Sequence, residues 1–404
     1  MPGPDRASHI MIVQHTDYDL SARNTFRMKV RCALYIEITE EADLPALDWD
    51  TLPQPVMVMG GGSNLLFTKD FPGTVLHYAE GTAFRGTPFA SLTPAPPTAS
   101  CTFGKSKLPP NIQQSAGPSP YPRPGVDMSA EGSTFCQITV PAGVVFDDFC
   151  AWAAAEGLWG PENLSLIPGE VGASAVQNIG AYGVEAKDII TGIRAWDRVE
   201  RRFVEIDPAD CEYGYRTSRF KTEWKGRYII TAVTYCLSKD PQPKLDYGGV
   251  RKALEAAGHN VIPGPTGNLT PQAIRDTIID IRRQKLPDPE EVGSAGSFFC
   301  NPVISREHFE QIVKTAREDN GPDYLVPHYE VGDSIKVPAA WMIEQCGFKG
   351  ATNGGAQVYP KQPLVIVNAS GNASPEEIIG LEQRVINAIA AKYGITLHPE
   401  VEHI

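Results

Sequence analysis

Three short segments of this 404-residue chain carry side chains suited to moving a proton or holding an anion. Ser297 stands in Gly296-Ser297-Phe298-Phe299-Cys300-Asn301-Pro302. With no His or Asp beside it in sequence it does not read as a hydrolase nucleophile, but a hydroxyl in a dry pocket can donate a proton. The same residue also suits an ordinary turn. Arg216 lies among alternating aromatics and cations in Cys211-Glu212-Tyr213-Gly214-Tyr215-Arg216-Thr217-Ser218-Arg219-Phe220-Lys221. Its planar fork can grip a carboxylate or polarise a carbonyl, or it can simply be a solvated surface charge. Glu400 follows Pro399 in the terminal run His398 to Ile404, where a strand can start. A terminal glutamate is equally at home in solvent.

Two glycine-rich segments suggest a ligand with phosphate and a flat body. Gly60-Gly61-Gly62-Ser63-Asn64-Leu65-Leu66 follows the apolar run Val56 to Met59. Contiguous glycines allow positive φ and close approach, so their N–H groups can hold a phosphate, with Ser63 and Asn64 as further donors. The pattern is not the GxGxxG dinucleotide fingerprint, and alone it also fits a tight turn. The second segment runs from Pro161 to Glu185 and includes Pro168, Gly169, Gly172, Ala173, Ser174, Gly180, Tyr182 and Gly183. Its small residues suit backbone wrapped around a large buried ligand, or a close-packed turn within a core.

The elements that must position these residues are mixed. Val56–Met59, Phe135–Val140 and Arg227–Leu237 read as strands. Phe146–Glu156, ending at Gly157, reads as a helix, as do the segments opened by Thr270-Pro271 and by the Ser374-Pro375-Glu376-Glu377 capping box, each with apolar residues on one face. Such a mixture predicts an α+β protein, without repeats or heptads. Residues 87–132 are rich in Pro, Ser, Thr and Gly and lack apolar periodicity, which predicts a flexible, disordered insertion inside a domain.

Composition narrows the function. The chain has 42% hydrophobic and 21% charged residues, and no run approaches the roughly 20 apolar residues of a membrane helix. The N-terminus lacks the apolar core of a secretory signal, so a cytoplasmic address is expected. Eight cysteines lie far apart with no metal-ligand spacing, and they read as reduced, mostly buried thiols with no metal. A net charge of 36 minus 48, or -12, disfavours a nucleic-acid partner. An anionic ligand then requires local Lys or Arg at its site.

Taken in order, these motifs resemble the UDP-N-acetylenolpyruvoylglucosamine reductase family of cell-wall flavoenzymes. The sets Ile167 to Gly183, Tyr215 to Lys221 and Gly296 to Pro302 are the most specific, and Asn24-Thr25-Phe26 and Ala340 to Gly350 add to them. The likeness covers nearly all of the chain outside its first twenty or so residues and the insertion. It implies three α+β domains: 15–72 and 73–240 clasping FAD as in vanillyl-alcohol-oxidase-like flavoproteins, and 241–395 binding substrate, with 396–404 as a terminal strand carrying Glu400. Non-covalent FAD would lie on Gly60, Gly61, Gly62, Ser63, Asn64, Leu65, Pro168, Gly169, Ala173 and Ser174, with Gly180 and Tyr182 near.

The implied reaction carries hydride from NADPH through FAD to UDP-N-acetylglucosamine enolpyruvate, giving UDP-N-acetylmuramate for peptidoglycan synthesis by a monomer. Arg216 and Glu400 would flank the substrate carboxylate and Ser297 would protonate the α carbon. Tyr247, in Leu245-Asp246-Tyr247-Gly248, resembles the tyrosine loop over the nucleotide, and Lys285 and Asn301 match positions near its diphosphate. Glu400 must be protonated to stabilise an anion, so burial should raise its pKa. Cys300 stands where many relatives have Lys, and Glu402 replaces a usual Arg, which leaves open what anchors the last strand. A superfamily oxidoreductase with another substrate would lack the Ser297 and Glu400 pair, and a flavin-binding scaffold would not need Arg216, Ser297 and Glu400 together.

Overall fold

A computed structural model describes residues 12–79, 134–261 and 269–404. The insertion expected at 87–132 lies outside the described residues. In chain order the elements are β1 (Val13–Asp19), β2 (Arg31–Ile38), α1 (Asp43–Ala46), β3 (Val56–Val58), β4 (Leu65–Leu66) and β5 (Phe71–Tyr78). Next come β6 (Phe135–Pro141), α2 (Phe146–Ala155), α3 (Val171–Gln177), β7 (Gly180–Ala181), β8 (Val184–Glu185), β9 (Ile190–Asp197), β10 (Arg202–Ile206) and β11 (Tyr228–Ser238). The rest comprises α4 (Val250–Ala256), α5 (Pro271–Lys285), β12 (Gly293–Ser294), β13 (Val303–Ser305), α6 (Arg306–Asn320), β14 (Tyr329–Val331), β15 (Ser334–Lys336), α7 (Ala339–Gln345), β16 (Thr352–Asn353), β17 (Ala356–Val358), β18 (Ile366–Asn368), α8 (Pro375–Tyr393) and β19 (Glu402–His403).

The first sheet, ordered β1-β2-β5-β3, has β2, β5 and β3 mutually parallel, and its central strands β2 and β5 are buried on both faces while edge strand β1 is exposed. A register shift between Cys32 and Leu34 reverses the side-chain parity of β2. Cys32 and Tyr35 therefore join one core with Val75, while Leu34, Ile36 and Ile38 join the other with Leu76 and Tyr78. One core continues into residues 295–401 and the other into 140–237. The sheet is thus a wall shared by both halves of the molecule.

The second sheet, β10-β9-β11-β6, is antiparallel around β11, whose run Tyr228 to Ser238 alternates little because most of it is buried. Two further antiparallel sheets, β12-β18-β17-β16 and β13-β15-β14, build the C-terminal half. Helix α8 forms as its sequence predicts: Ser374 and Glu377 close a capping box, Pro375 sits in the first turn, and Gly394 ends it at φ +67°. Ile378, Leu381, Val385 and Ile389 fill one buried stripe. The other strands and helices expected above are present within a residue or two of their predicted ends. Cys32, Cys136, Cys150, Cys211, Cys236, Cys300 and Cys346 are free thiols. No helix among the described residues is long and apolar enough to cross a membrane.

A half-buried ion pair ties α2 to α5. Asp147 Oδ2 accepts from Arg275 Nη2 at 2.9 Å, and Asp147 Oδ1 accepts from the Leu166 amide at 2.6 Å. Burial alone would push this carboxyl up, but the bonds from Arg275 and Leu166 hold it below the ordinary carboxylate range. The pair therefore stabilises the fold above the unfolded carboxyl pKa and loses its effect as pH falls through the folded one. Asp147→Asn leaves Arg275 without its counter-charge and is expected to lower stability by about 3 kcal/mol in urea unfolding at neutral pH. The difference from wild type should vanish in acid; a loss that is the same at both pH values contradicts the assignment.

Candidate functional site

The loop after β3 is shaped by Gly62, which sits at φ +61°, and a Cβ there would meet the Arg23 carbonyl oxygen at 2.1 Å. No side chain fits. The loop packs on the second glycine-rich segment: a Cβ on Gly61 would touch Gly169 Cα at 3.5 Å, and Ser63 Oγ donates to the Pro168 carbonyl at 3.3 Å. The two segments that sequence marked separately form one wall.

The chain's end crosses this wall. Asn64 Nδ2 donates to the Glu400 carbonyl at 3.0 Å, and the Glu402 amide donates to the Asn64 carbonyl at 2.9 Å, so β19 runs parallel to β4. On its other edge the Glu400 amide donates to the Phe298 carbonyl at 2.8 Å, and the Cys300 amide to the His398 carbonyl at 3.0 Å. Glu400 is thereby fixed beside the segment that carries Ser297. Arg216 reaches the same place from a left-handed turn at φ +56°. It donates from Nη2 to the Gly180 carbonyl and from Nη1 to the Asn178 carbonyl at 3.4 Å, and its Nε lies 3.1 Å from Glu400 Oε1. Gly180 gives this guanidinium its seat, since a Cβ there would approach Nη1 to 2.8 Å.

Arg216, Ser297 and Glu400 line one cleft of about 630 Å³. Its walls include Gly60, Gly61, Gly62, Ser63, Asn64, Leu65, Pro168, Ala173, Ser174 and Gly180. Ser174 Oγ is turned inward, bonded to the Val171 carbonyl at 2.6 Å and to Tyr235 Oη at 2.8 Å. Other expected residues stand around the cleft rather than in its lining. Gly169 backs the loop, and Tyr182 packs against Gly248. Tyr247 stacks on Tyr329 with ring centroids 5.2 Å apart. Asn301 donates from Nδ2 to Tyr215 Oη at 3.3 Å and accepts from the Ala339 amide at 2.9 Å. Lys285 is exposed at the end of α5, whereas Arg282, one turn earlier, lines the cleft.

Sequence reading missed Arg282, Tyr215, Tyr329 and Lys336. For Arg282 a signal existed, because it continues the four-residue stripe of the buried Ile274 and Ile278. Its Nε is buried without a hydrogen-bond partner. Lys336 Nζ lies over the rings of Tyr215 at 4.9 Å and Tyr329 at 5.8 Å, and burial, then the nearby Arg216 charge, lowers its pKa. No local pattern announces that pairing. With Lys221 in the cleft wall, these cations supply the positive charge an acidic chain needs to hold an anion.

Burial raises the Glu400 pKa and outweighs the opposing charges of Arg216 and Lys221. Burial, with Glu400 nearby, pushes the Cys300 thiol up to about 11, so it is neutral. Glu402 forms an ion pair with Lys225, and His403 Nε2 lies 3.2 Å from Glu382 Oε2. These contacts and the backbone ladder answer what anchors the last strand.

Comparison with known proteins places the chain among enzymes. Residues 288–404 match the family model for the UDP-N-acetylenolpyruvoylglucosamine reductase C-terminal domain, and residues 133–201 match an FAD binding domain. A UDP-N-acetylenolpyruvoylglucosamine reductase of Bacteroides fragilis (strain YCH46) is 39% identical over 389 residues, covering 96% of this chain and 99% of that protein. Those of Porphyromonas gingivalis W83 and Cupriavidus pinatubonensis are 38% and 37% identical, each covering 96% of this chain and 98% of the relative. The crystal structure of the UDP-N-acetylenolpyruvylglucosamine reductase (MurB) from Thermus caldophilus is similar in fold, with a TM-score of 0.57 at 18% identity over 97% of this chain and 98% of that one.

The loop geometry separates two neighbouring substitutions. Gly62→Ala is expected to destabilise the protein by about 1–3 kcal/mol, because it adds a left-handed φ penalty to a backbone clash. Gly61→Ala, with ordinary contact, should cost roughly 0.5 kcal/mol or less. Urea unfolding of the two variants checks this, and equal losses would contradict it.

Proposed function

The chain belongs to the UDP-N-acetylenolpyruvoylglucosamine reductase family, and we propose that Arg216, Glu400 and Ser297 carry out its chemistry at the cleft they share. It is an FAD-dependent oxidoreductase that reduces UDP-N-acetylglucosamine enolpyruvate with NADPH, a step of peptidoglycan synthesis. The observation that carries the assignment of residues is the meeting of a cation, a buried acid and a hydroxyl in one cleft with the glycine loops.

The residues fit the cofactor. Gly60, Gly61, Gly62, Ser63 and Asn64 line the cleft, and the glycine loop, free of side chains, offers backbone donors suited to a diphosphate. Met57, Met59, Ile167, Tyr228 and Ile230 add an apolar lining for a flat ring. FAD, when bound, supplies the hydride relay between NADPH and the enolpyruvyl double bond. Every other step falls to the protein.

Arg216 is pinned by two carbonyls, so its guanidinium faces the substrate carboxylate without reorganising as charge develops there. Glu400, buried and inclined to hold its proton, can donate a hydrogen bond to the same carboxylate as it becomes an enolate dianion. Ser297 then delivers a proton to the α carbon. A hydroxyl is a feeble acid in water, and the strongly basic carbon together with exclusion of water makes the transfer feasible. At the mouth, Tyr215, Tyr247, Tyr329, Asn301 and Lys336 form an aromatic and cationic collar for the nucleotide diphosphate. Lys285, exposed at the end of α5 and outside the cleft lining, is assigned near the diphosphate by its motif position alone.

Ser297→Ala is expected to leave bleaching of the flavin absorbance by NADPH within about twofold of wild type. Its turnover of the enolpyruvyl sugar should fall at least about 10²-fold, the scale of a lost general acid. Stopped-flow measurement of both halves checks this, and equal slowing of the two would remove Ser297 from the proton-donor role. Because the Glu400 pKa is raised, wild-type turnover should decline as pH rises through that value. Glu400→Gln should lower turnover yet flatten this limb; an unchanged limb would assign the titration elsewhere.

A further inference from the structure

Asn163 lies outside the lining of the cleft and takes no part in the chemistry above, yet it is fully buried. It stands in the single helical turn Glu162–Leu164. Its Nδ2 donates to two backbone carbonyls, that of Tyr182 at 2.9 Å and that of Lys244 at 2.8 Å. An amide nitrogen carries two hydrogens, so neither bond is made at the other's expense. Asn163 Oδ1 finds no hydrogen-bond partner among the described residues. Burying an orphaned acceptor is costly, and what the side chain gives in return is the bridge made by its donors.

The bridged segments belong to opposite ends of the substrate site. Tyr182 and Gly183, at φ +48° and +81°, are the two-residue turn of the β7–β8 hairpin, with the backbone sense of a type I′ turn. So short a turn has little slack, which fixes the Tyr182 carbonyl relative to Gly180, and the Gly180 carbonyl seats Arg216. Lys244 opens the loop Leu245-Asp246-Tyr247-Gly248. Leu245 is buried in a small apolar cluster with Trp159, Ile274 and Ile278, whereas Asp246 and Gly248 are exposed. Loop and turn also interlock through side chains on bare backbone. A Cβ on Gly183 would meet Tyr247 Cβ at 3.3 Å, and one on Gly248 would meet the Tyr182 ring at 2.7 Å. Apolar contact of this kind sets distance but lets surfaces slide; the Asn163 bridge adds direction.

We propose that Asn163 is a positioning residue that latches the tyrosine loop to the hairpin seating Arg216, so that the grip on the nucleotide and the grip on the carboxylate keep one spacing. This rests on the reading of Tyr247 as part of the nucleotide collar. Without the bridge the loop visits positions in which Tyr247 misses the nucleotide, and substrate binds only the fraction of molecules whose loop is in register. Arg216 keeps its two carbonyls, so chemistry after binding keeps its rate.

The test is Asn163→Ala in the full-length flavoenzyme, followed by steady-state kinetics and by stopped-flow flavin reduction at saturating NADPH. KM for the enolpyruvyl sugar nucleotide should rise about tenfold, the scale of one or two lost hydrogen bonds. Loss of binding alone leaves kcat and the limiting rate of flavin reduction within about twofold of wild type. Tyr247→Ala should itself raise KM, and adding Asn163→Ala to it should change KM by less than about twofold, because the latch acts through that ring. A merely structural role worsens KM, kcat and flavin reduction together, or keeps its full effect on KM without the Tyr247 ring; either result overturns the proposal, as does a wild-type KM in Asn163→Ala. Should Asn163→Ala not fold, Gly248→Ala, which forces the loop away from the Tyr182 ring, should reproduce the KM rise and its dependence on Tyr247, and an unchanged KM there overturns the proposal. Tyr247→Ala with an unchanged KM instead brings down the nucleotide-collar reading, and this inference with it.

Discussion

Backbone hydrogen bonding along both edges of the C-terminal segment is the constraint on which the site depends. Glu400 has no helix to hold it and sits near the end of the chain, where fraying is the ordinary expectation. Its carbonyl is held by Asn64 and its amide by the Phe298 carbonyl. The loop assigned to the cofactor and the segment carrying Ser297 are therefore spaced by a single strand between them. Arg216 enters from a third direction, pinned to the carbonyls of Asn178 and Gly180. The remote segments converge because backbone groups of the first two satisfy one another and the Arg216 side chain satisfies two further carbonyls, groups that water would otherwise have to meet.

Electrostatics repeats the pattern at longer range. A chain of net charge -12 gathers Arg216, Lys221 and Arg282 around one cleft and sets Lys336 over the ring of Tyr215, the neighbour of Arg216. The acids among them are managed individually. Burial raises the pKa of Glu400, and Glu402 is spent on Lys225. What matters to an anionic ligand is the charge that faces it.

Much of this was legible in sequence, and the reason is local. Capping at Ser374 and Thr270, apolar stripes on α5 and α8, and the runs of β3, β6 and β11 depend on neighbours within a few residues, so periodicity reveals them. Motif order singled out Arg216, Ser297 and Glu400, which the fold brings into one cleft. Contacts made only by folding were not legible. The parity reversal in β2 depends on its pairing with β5. Lys336 owes its place to tyrosines at 215 and 329, and the Glu402 partner is Lys225, all distant in sequence. Arg282 falls between these cases, its stripe readable but its place in the cleft not.

The central claim, that one cleft serves both NADPH oxidation and reduction of the enolpyruvyl sugar, is tested most directly by the visible spectrum of the purified wild-type protein under anaerobic conditions. NADPH should bleach the flavin band, and later addition of UDP-N-acetylglucosamine enolpyruvate should restore it with one equivalent of UDP-N-acetylmuramate formed. Bleaching without recovery would contradict the substrate assignment, and a protein that stays colourless after incubation with FAD would contradict the account as a whole.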